Sequence, residues 1–317
     1  MKIVIIEPLG ITSSKVSEVI KPIKEAGYEV VYYETRTEET SELIERGKDA
    51  EIIIVANLPL RKAVIESCPN LKMISVAFTG VDHIDTEFCK EKGITVCNAA
   101  GYSTNAVAEL TFGLAISVLR NIPACDTAVR NEGTKAGLVG CELFGKKFGI
   151  IGTGAIGSRV AEIAMAFGCN VLAYSRSIKP QLEEKGVKFV SMEELLEQSD
   201  IVSLHVPFNN TTTKLIGNKQ LQLMKETAIL INTARGGVVD SEELAKALNS
   251  GKIAGAGIDV FEMEPPIPST HPLIKSKNTV VTPHVAFASE EALYTRAGIV
   301  VENILKWEQG IPQNLIV

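Results

Sequence analysis

The sequence has no excess of basic charge. Its formal net charge is -6, which argues against nucleic acid or an acidic membrane surface as the main partner. It has no apolar run approaching the ~20 residues of a membrane span. The opening "MKIVIIEPLG" lacks the length and small-residue cleavage site of a signal peptide and reads as a buried first strand. Its six cysteines (68, 89, 97, 125, 141, 169) form no CxxC pair, and no histidine stands beside one at ligand spacing. They read as buried, reduced thiols in a cytoplasmic protein, with no metal and no disulfide. Aromatic residues are few, at 5%, beside 45% hydrophobic and 22% charged residues, an ordinary globular composition. Neither a low-complexity linker nor a short-period repeat is present.

What remains is a chain of 317 residues, long for one core and suited to two domains of about 150 residues. Short β-branched runs alternate with helical stretches throughout. "KIVIIE", "EVVYYE", "AEIIIVA", "LKMISVAF" and "ITVCNA" form a first series; "KFGIIG", "NVLAYS", "DIVSLHV", "AILINTA", "AGAGIDV" and "NTVVTPH" form a second. Runs without clean alternation are expected of parallel strands covered on both faces by crossover helices. Two such series predict two doubly wound parallel-sheet α/β domains. A helical tail over Glu290–Gln309 is expected to pack back on the first, so residues 1–100 and 287–317 form one domain and 101–286 the other. A helix is expected over Ser14–Ala26, and a solvated one over "TEETSELIERGKD". "STNAVAELTFGLAISVLRNIPACDTAV" reads as a long, nearly uncharged helix with Ser103 or Thr104 as N-cap and Pro123 breaking the pattern. So apolar a helix is expected between domains or under a second subunit.

The turn Gly152-Thr153-Gly154-Ala155-Ile156-Gly157 follows the strand "KFGII" and opens the helix "SRVAEIAMAFG", which makes a GxGxxG match informative. Gly152 permits the tight turn, Gly154 lets backbone approach a pyrophosphate, and Gly157 allows close helix–strand packing. Amides at the helix start then face the phosphates. The carboxylate that binds an NAD ribose belongs at the end of the next strand, "NVLAYS". Ser175, Arg176 and Ser177 stand there instead. Hydroxyls and a guanidinium suit a 2′-phosphate, so NADP(H) is favoured over NAD(H); an Arg176 stacked on adenine, with NAD as cofactor, is the alternative.

Three strand ends carry ionisable groups: "AILINTARGGVVD" ends in Arg235, "AGAGIDVFEMEPP" leads through Asp259 to Glu264, and "NTVVTPHVAF" ends in His284. Ligands of open α/β sheets bind beyond such ends. Reducing a 2-oxo acid needs a cation for the carboxylate and carbonyl, which Arg235 offers. It needs a proton donor working near neutral pH, which His284 offers. A carboxylate such as Glu264 orients an imidazole and favours its protonated form.

With these motifs, "HVPFNNTTTKLIG" and "FTGVDHID", the chain resembles the D-isomer-specific 2-hydroxyacid dehydrogenase family over essentially its full length. The resemblance implies a Rossmann cofactor domain inserted into a discontinuous flavodoxin-like substrate domain, with a cleft that closes between them. It implies Arg235, Glu264 and His284 as the catalytic trio, and Thr79 and Gly80 as the loop that holds the substrate carboxylate together with Arg235 and His284. On the cofactor side it implies Thr104, the Ala155–Ile156 amides, Val206, Pro207 and Thr212 along the adenosine, Thr233 and Ala234 near the nicotinamide, and Asp259 as carboxamide anchor. A homodimer through residues 101–131 is implied too. Ser175 departs from the aspartate of many relatives, as in the family's NADP-using glyoxylate and hydroxypyruvate reductases.

The expected activity is therefore reduction of a small 2-oxo acid, glyoxylate or hydroxypyruvate first, to the D-hydroxy acid. D-lactate and D-3-phosphoglycerate dehydrogenases are alternatives, and a dinucleotide-sensing corepressor is the non-enzyme rival. His205 is expected beside the cofactor loop, His83 and Asp85 in structural roles, and His271 on the surface. Leu58, Arg61, Met263 and Phe287 are candidates for the pocket wall.

Overall fold

The computed structural model describes residues 1–317. The chain divides into two compact units, Met1–Ser103 with Ala288–Val317, and Thr104–Phe287. The first cut falls three residues beyond Gly101, where the helix Thr104–Leu119 begins.

The first unit holds a parallel sheet of β1 (Lys2–Ile5), β2 (Glu29–Tyr32), β3 (Ile52–Val55), β4 (Met73–Val76) and β5 (Thr95–Cys97) in the order β2-β1-β3-β4-β5, a flavodoxin-like order. β3 and β4 are buried along their whole length, as unbroken apolar runs require. The C-terminal helix Glu290–Glu308 returns to this unit, where Ser75 Oγ donates to the Val300 carbonyl, and Leu315 bridges Cys97 antiparallel at the sheet edge.

The second unit holds seven parallel strands: β6 (Lys147–Ile151), β7 (Asn170–Tyr174), β8 (Lys188–Phe189), β9 (Ile201–Leu204), β10 (Ile229–Asn232), β11 (Gly255–Ile258) and β12 (Thr279–Val281). Their order is β12-β11-β10-β9-β6-β7-β8. The order reverses at β6, flanked by β7 and β9, which makes the end of β6 a topological switch point.

Several expectations are corrected. The long apolar segment breaks near Pro123 as expected, but into two separate helices, Thr104–Leu119 and Ile122–Arg130, bent by 58° where Asn121 adopts a left-handed φ of 52°. The first is buried on many sides within its unit; the second, with Pro123 in its first turn, buries no residue. No single helix is long and apolar enough to cross a membrane. Ser14–Ala26 is likewise two short helices, the second carrying Pro22 in its first turn. The helix Thr40–Gly47 is not simply solvated. Leu43 enters the core, and the buried Arg46 donates to the Ile6 and Thr35 carbonyls. Cys141 is exposed and Cys125 half-buried, whereas Cys68, Cys89, Cys97 and Cys169 are buried and all six are unpaired.

Candidate active site

The glycine turn lies at the switch point. Gly152 has φ +98° and donates its N–H to the Tyr174 carbonyl, so the turn starts beside the end of β7. A Cβ at Gly152 would overlap the His205 carbonyl, and one at Gly157 would overlap the Gly152 carbonyl. A Cβ at Gly154 would meet nothing within 4 Å. Two glycines are thus demanded by packing, and the third faces open space. Gly154 is also the N-cap of the helix Ala155–Ala166 and offers its first amides no side-chain partner. The Thr153 hydroxyl is buried without a hydrogen-bond partner. Free helix-start donors around an open cradle fit the phosphates of a dinucleotide.

The remaining cofactor candidates lie in the same unit. Ser175 follows Tyr174 directly; Arg176 and Ser177 are exposed, and Arg176 pairs with no carboxylate. His205 donates its N–H to the Ile151 carbonyl, and its Nε2 lies 2.9 Å from Ser203 Oγ. Burial pushes its imidazole pKa down to about 3, so the ring is neutral. Val206 meets the turn at Gly152. Thr212 Oγ1 donates to the Pro207 carbonyl at 2.6 Å and accepts the Asn209 N–H, folding the loop after β9. Thr233 Oγ1 pairs with Thr111 Oγ1 at 3.1 Å, next to Ala234. Thr104 opens its helix.

Arg235, Glu264 and His284 follow β10, β11 and β12, three adjacent strands. Arg235 is half-buried and held by its own turn. Asn232 Nδ2 donates to the Arg235 carbonyl at 3.0 Å, Asn232 Oδ1 accepts the Ala234 N–H, and one guanidinium nitrogen donates to the Ala234 carbonyl. No carboxylate neutralises it, so its charge is available to an anion. Gly236 is obligatory, since a Cβ there would overlap the Phe261 carbonyl group.

His284 Nδ1 lies 2.8 Å from Glu264 Oε2. The residue has φ 56°, a left-handed backbone uncommon outside glycine and held only where the surroundings over-determine it. Asp259 over-determines that turn. Wholly buried, its carboxylate accepts the Thr282 hydroxyl and the N–H groups of Val285 and Ala286, while its carbonyl accepts the His284 N–H. Asp259 therefore serves the His284 turn in this conformation. The Phe287 ring packs edge-on against the imidazole, centroids 5.4 Å apart. With Nδ1 committed to Glu264, Nε2 is the atom that can exchange a proton.

In the first unit, Thr79 is exposed and Gly80 half-buried in the loop after β4. Asn98 Nδ2 donates to the Thr79 carbonyl at 2.7 Å, and Asn98 Oδ1 accepts the Ala100 N–H. Asn98 and Asn232 were not singled out from the sequence. Both close an apolar strand, "TVCN" and "LIN", and cap the next turn with an i to i+2 amide bond, a legible Asx-turn signal. Of the pocket-wall candidates, Leu58 is wholly buried in the core of its unit, Arg61 donates to the Asp82 carbonyl, and Met263 is exposed. His83 is part-buried beside this loop, and burial pushes its pKa down to about 4. His271 is not on the surface: it is 8% exposed and bonded through both ring nitrogens.

A dinucleotide cradle at the switch point of a Rossmann sheet, with an imidazole–carboxylate pair and an un-neutralised guanidinium on neighbouring strand ends, defines a nicotinamide-dependent oxidoreductase. Residues 112–286 match the model of the D-isomer specific 2-hydroxyacid dehydrogenase NAD-binding domain, and the chain belongs to that family. It is 41% identical to a glyoxylate reductase of Korarchaeum cryptofilum over 86% of this chain and 85% of that one. It is 34% identical to a hydroxypyruvate reductase of Blautia hydrogenotrophica over 93% and 94%. Among solved structures, an acyclic imino acid reductase, Bsp5, in complex with NADPH and D-Arg superposes with TM-score 0.87 at 35% identity, covering both chains completely. The protein is thus an NAD(P)-dependent D-2-hydroxyacid dehydrogenase, an oxidoreductase.

Proposed function

We propose that the protein reduces glyoxylate or hydroxypyruvate to the D-hydroxy acid, with NADP(H) preferred. The observation that carries the reading is the placement of Arg235 and the His284–Glu264 pair on the strand ends β10–β12 of the sheet whose β6 bears the glycine turn. The amides of Ala155 and Ile156, with Gly152, Gly154 and Gly157, hold the pyrophosphate. Ser175, Arg176 and Ser177 hold the 2′-phosphate. His205, Val206, Pro207 and Thr212 flank the adenosine side; Thr104, Thr233 and Ala234 complete the binding surface.

When bound, the reduced nicotinamide supplies a hydride to the carbonyl carbon. The Arg235 guanidinium pairs with the substrate carboxylate and polarises the carbonyl oxygen, and the Thr79 and Gly80 amides bind the carboxylate. His284 gives its Nε2 proton to that oxygen as it becomes a hydroxyl, and Glu264 accepts the Nδ1–H throughout. The net change is oxo acid, reduced cofactor and one proton to hydroxy acid and oxidised cofactor.

The chain is also proposed to dimerise through residues 101–131. The helix Ile122–Arg130 is apolar on one side yet buries nothing, with Ile122 47% and Val129 75% exposed, a surface that suits a second copy. The four buried, unpaired thiols fit a reducing, cytoplasmic compartment.

Initial rates with NADH and NADPH against glyoxylate, hydroxypyruvate and pyruvate test the function. The expected result is the highest kcat/KM for NADPH with glyoxylate or hydroxypyruvate. No oxidation of either cofactor with any of the three acids overturns it.

A further inference from the structure

The loop between β11 and β12 carries Glu264, whose side chain is 76% exposed and bonded to His284. An exposed carboxylate on a long loop loses conformational freedom when it is held at 2.8 Å from a ring nitrogen. Something must hold the loop, and within it His271 reaches back to Glu262. Nε2 of His271 lies 3.1 Å from Glu262 Oε2, and its ring packs edge-on against Phe261 with centroids 5.1 Å apart. Nδ1 accepts the Leu273 N–H at 3.3 Å. That bond fixes the tautomer: Nε2 bears the hydrogen and donates it to Glu262. The same segment bears on Arg235, because the Phe261 and Glu262 backbone fills the space that a side chain at Gly236 would need.

We propose that His271 is a positioning residue: by bridging to Glu262 it closes the Glu262–His271 loop and thereby holds Glu264 against His284. The inference rests on the proposed working pair of Glu264 and His284. An N-cap alone does not explain a histidine here. Asparagine caps at least as well, and only a side chain with a second, opposed polar atom can cap Leu273 and reach Glu262 together. A buried ring with both nitrogens engaged is a closed, fully satisfied brace.

The two roles separate by substitution. His271→Asn keeps an acceptor for the Leu273 N–H and removes the bridge. It is expected to lower kcat for 2-oxo acid reduction by about 10- to 10²-fold, the scale of a catalytic group displaced by up to about 1 Å, with KM for the oxo acid and the cofactor within about twofold. Glu262→Ala breaks the bridge from its other end and is expected to do the same. Glu262→Gln keeps a carbonyl acceptor for Nε2–H and is expected to preserve kcat. In a Glu264→Ala background, His271→Asn is expected to add no further loss, since it acts through Glu264. Wild-type kcat in both His271→Asn and Glu262→Ala, or a full multiplicative loss in the Glu264→Ala background, overturns the proposal. Wild-type kcat in Glu264→Ala alone overturns the working pair itself, and the proposal with it. If His271→Asn fails to fold, Glu262→Ala and Glu262→Gln decide.

Discussion

Nδ1 of His284 and Oε2 of Glu264 are 2.8 Å apart, although the residues stand twenty positions apart on loops after different strands. The bond fixes the ring's orientation and leaves Nε2 to exchange protons. His284→Ala is expected to lower kcat by about 10² to 10⁴, the usual worth of a positioned general acid. The dissociation constant for NADPH, measured by cofactor fluorescence, is expected to stay within about twofold. Unchanged turnover in this variant refutes the proton-donor role.

Arg176 stands beyond β7, next to the glycine turn, with no carboxylate partner. Arg176→Ala is expected to raise the KM for NADPH by about tenfold or more, the loss of a charge-assisted phosphate contact. The KM for NADH is expected to change little. Equal rises for both cofactors show that the arginine serves some other part of the dinucleotide.

Gly236 has backbone where its side chain would be. Gly236→Ala forces apart the turn that holds Arg235 and the segment Phe261–Glu262. A cost of about 1–3 kcal/mol is expected for such overpacking. The melting temperature is expected to fall with it, and kcat more than proportionately, because both catalytic loops move. Calorimetry beside steady-state kinetics measures the two effects, and a variant of wild-type stability and rate contradicts the close approach.

Burial depresses the pKa of His205 to about 3 and of His83 to about 4. In the unfolded chain both titrate near about 6.5. Between those values the unfolded state binds the extra protons, so stability falls as pH drops through that window and is fully present above it. His205→Gln is expected to flatten the dependence: the loss of melting temperature between pH 7 and pH 5 becomes smaller than in the wild type. Parallel curves for the two proteins exclude the effect.

The cysteines divide by exposure. Burial raises the thiols of Cys68, Cys89, Cys97 and Cys169 to about 11, while Cys141 is exposed and Cys125 half-buried. Thiolate chemistry follows access and ionisation. A thiol-reactive chromophore is expected to label Cys141 first in the native protein, and all six after denaturation. Rapid native labelling of Cys97 would contradict the packing of β5.

The strands were legible because parallel sheets buried on both faces write themselves as apolar runs, and the glycine turn because packing leaves no other residue type at Gly152 and Gly157. The His284–Glu264 pairing was legible because groups that follow adjacent strands of a doubly wound sheet emerge along one edge. Helix continuity was legible in part: Pro123 marked the break, but the left-handed Asn121 that turns the chain by 58° did not show, because composition does not report a backbone dihedral. Polar partnerships were hidden as well. His271 looked solvent-facing within a proline-rich stretch, and its partner Glu262 lies nine residues upstream. Arg46 resembled one more surface charge until the carbonyls of Ile6 and Thr35 came to face it. Hydrogen-bonded burial of this kind depends on three-dimensional neighbours that periodicity does not encode.

The antiparallel pairing of the last residues with β5 orders events during synthesis. The strands β6 to β12 are all made by Val281, and the unit they build ends at Phe287. The first unit waits: Val96 exchanges backbone bonds with Ile316 and Val317, and Ser75 needs Val300. A ribosome therefore releases the strands β1 to β5 before their covering helix and edge partner have arrived, and that sheet waits with an open face and edge while β6 to β12 are made.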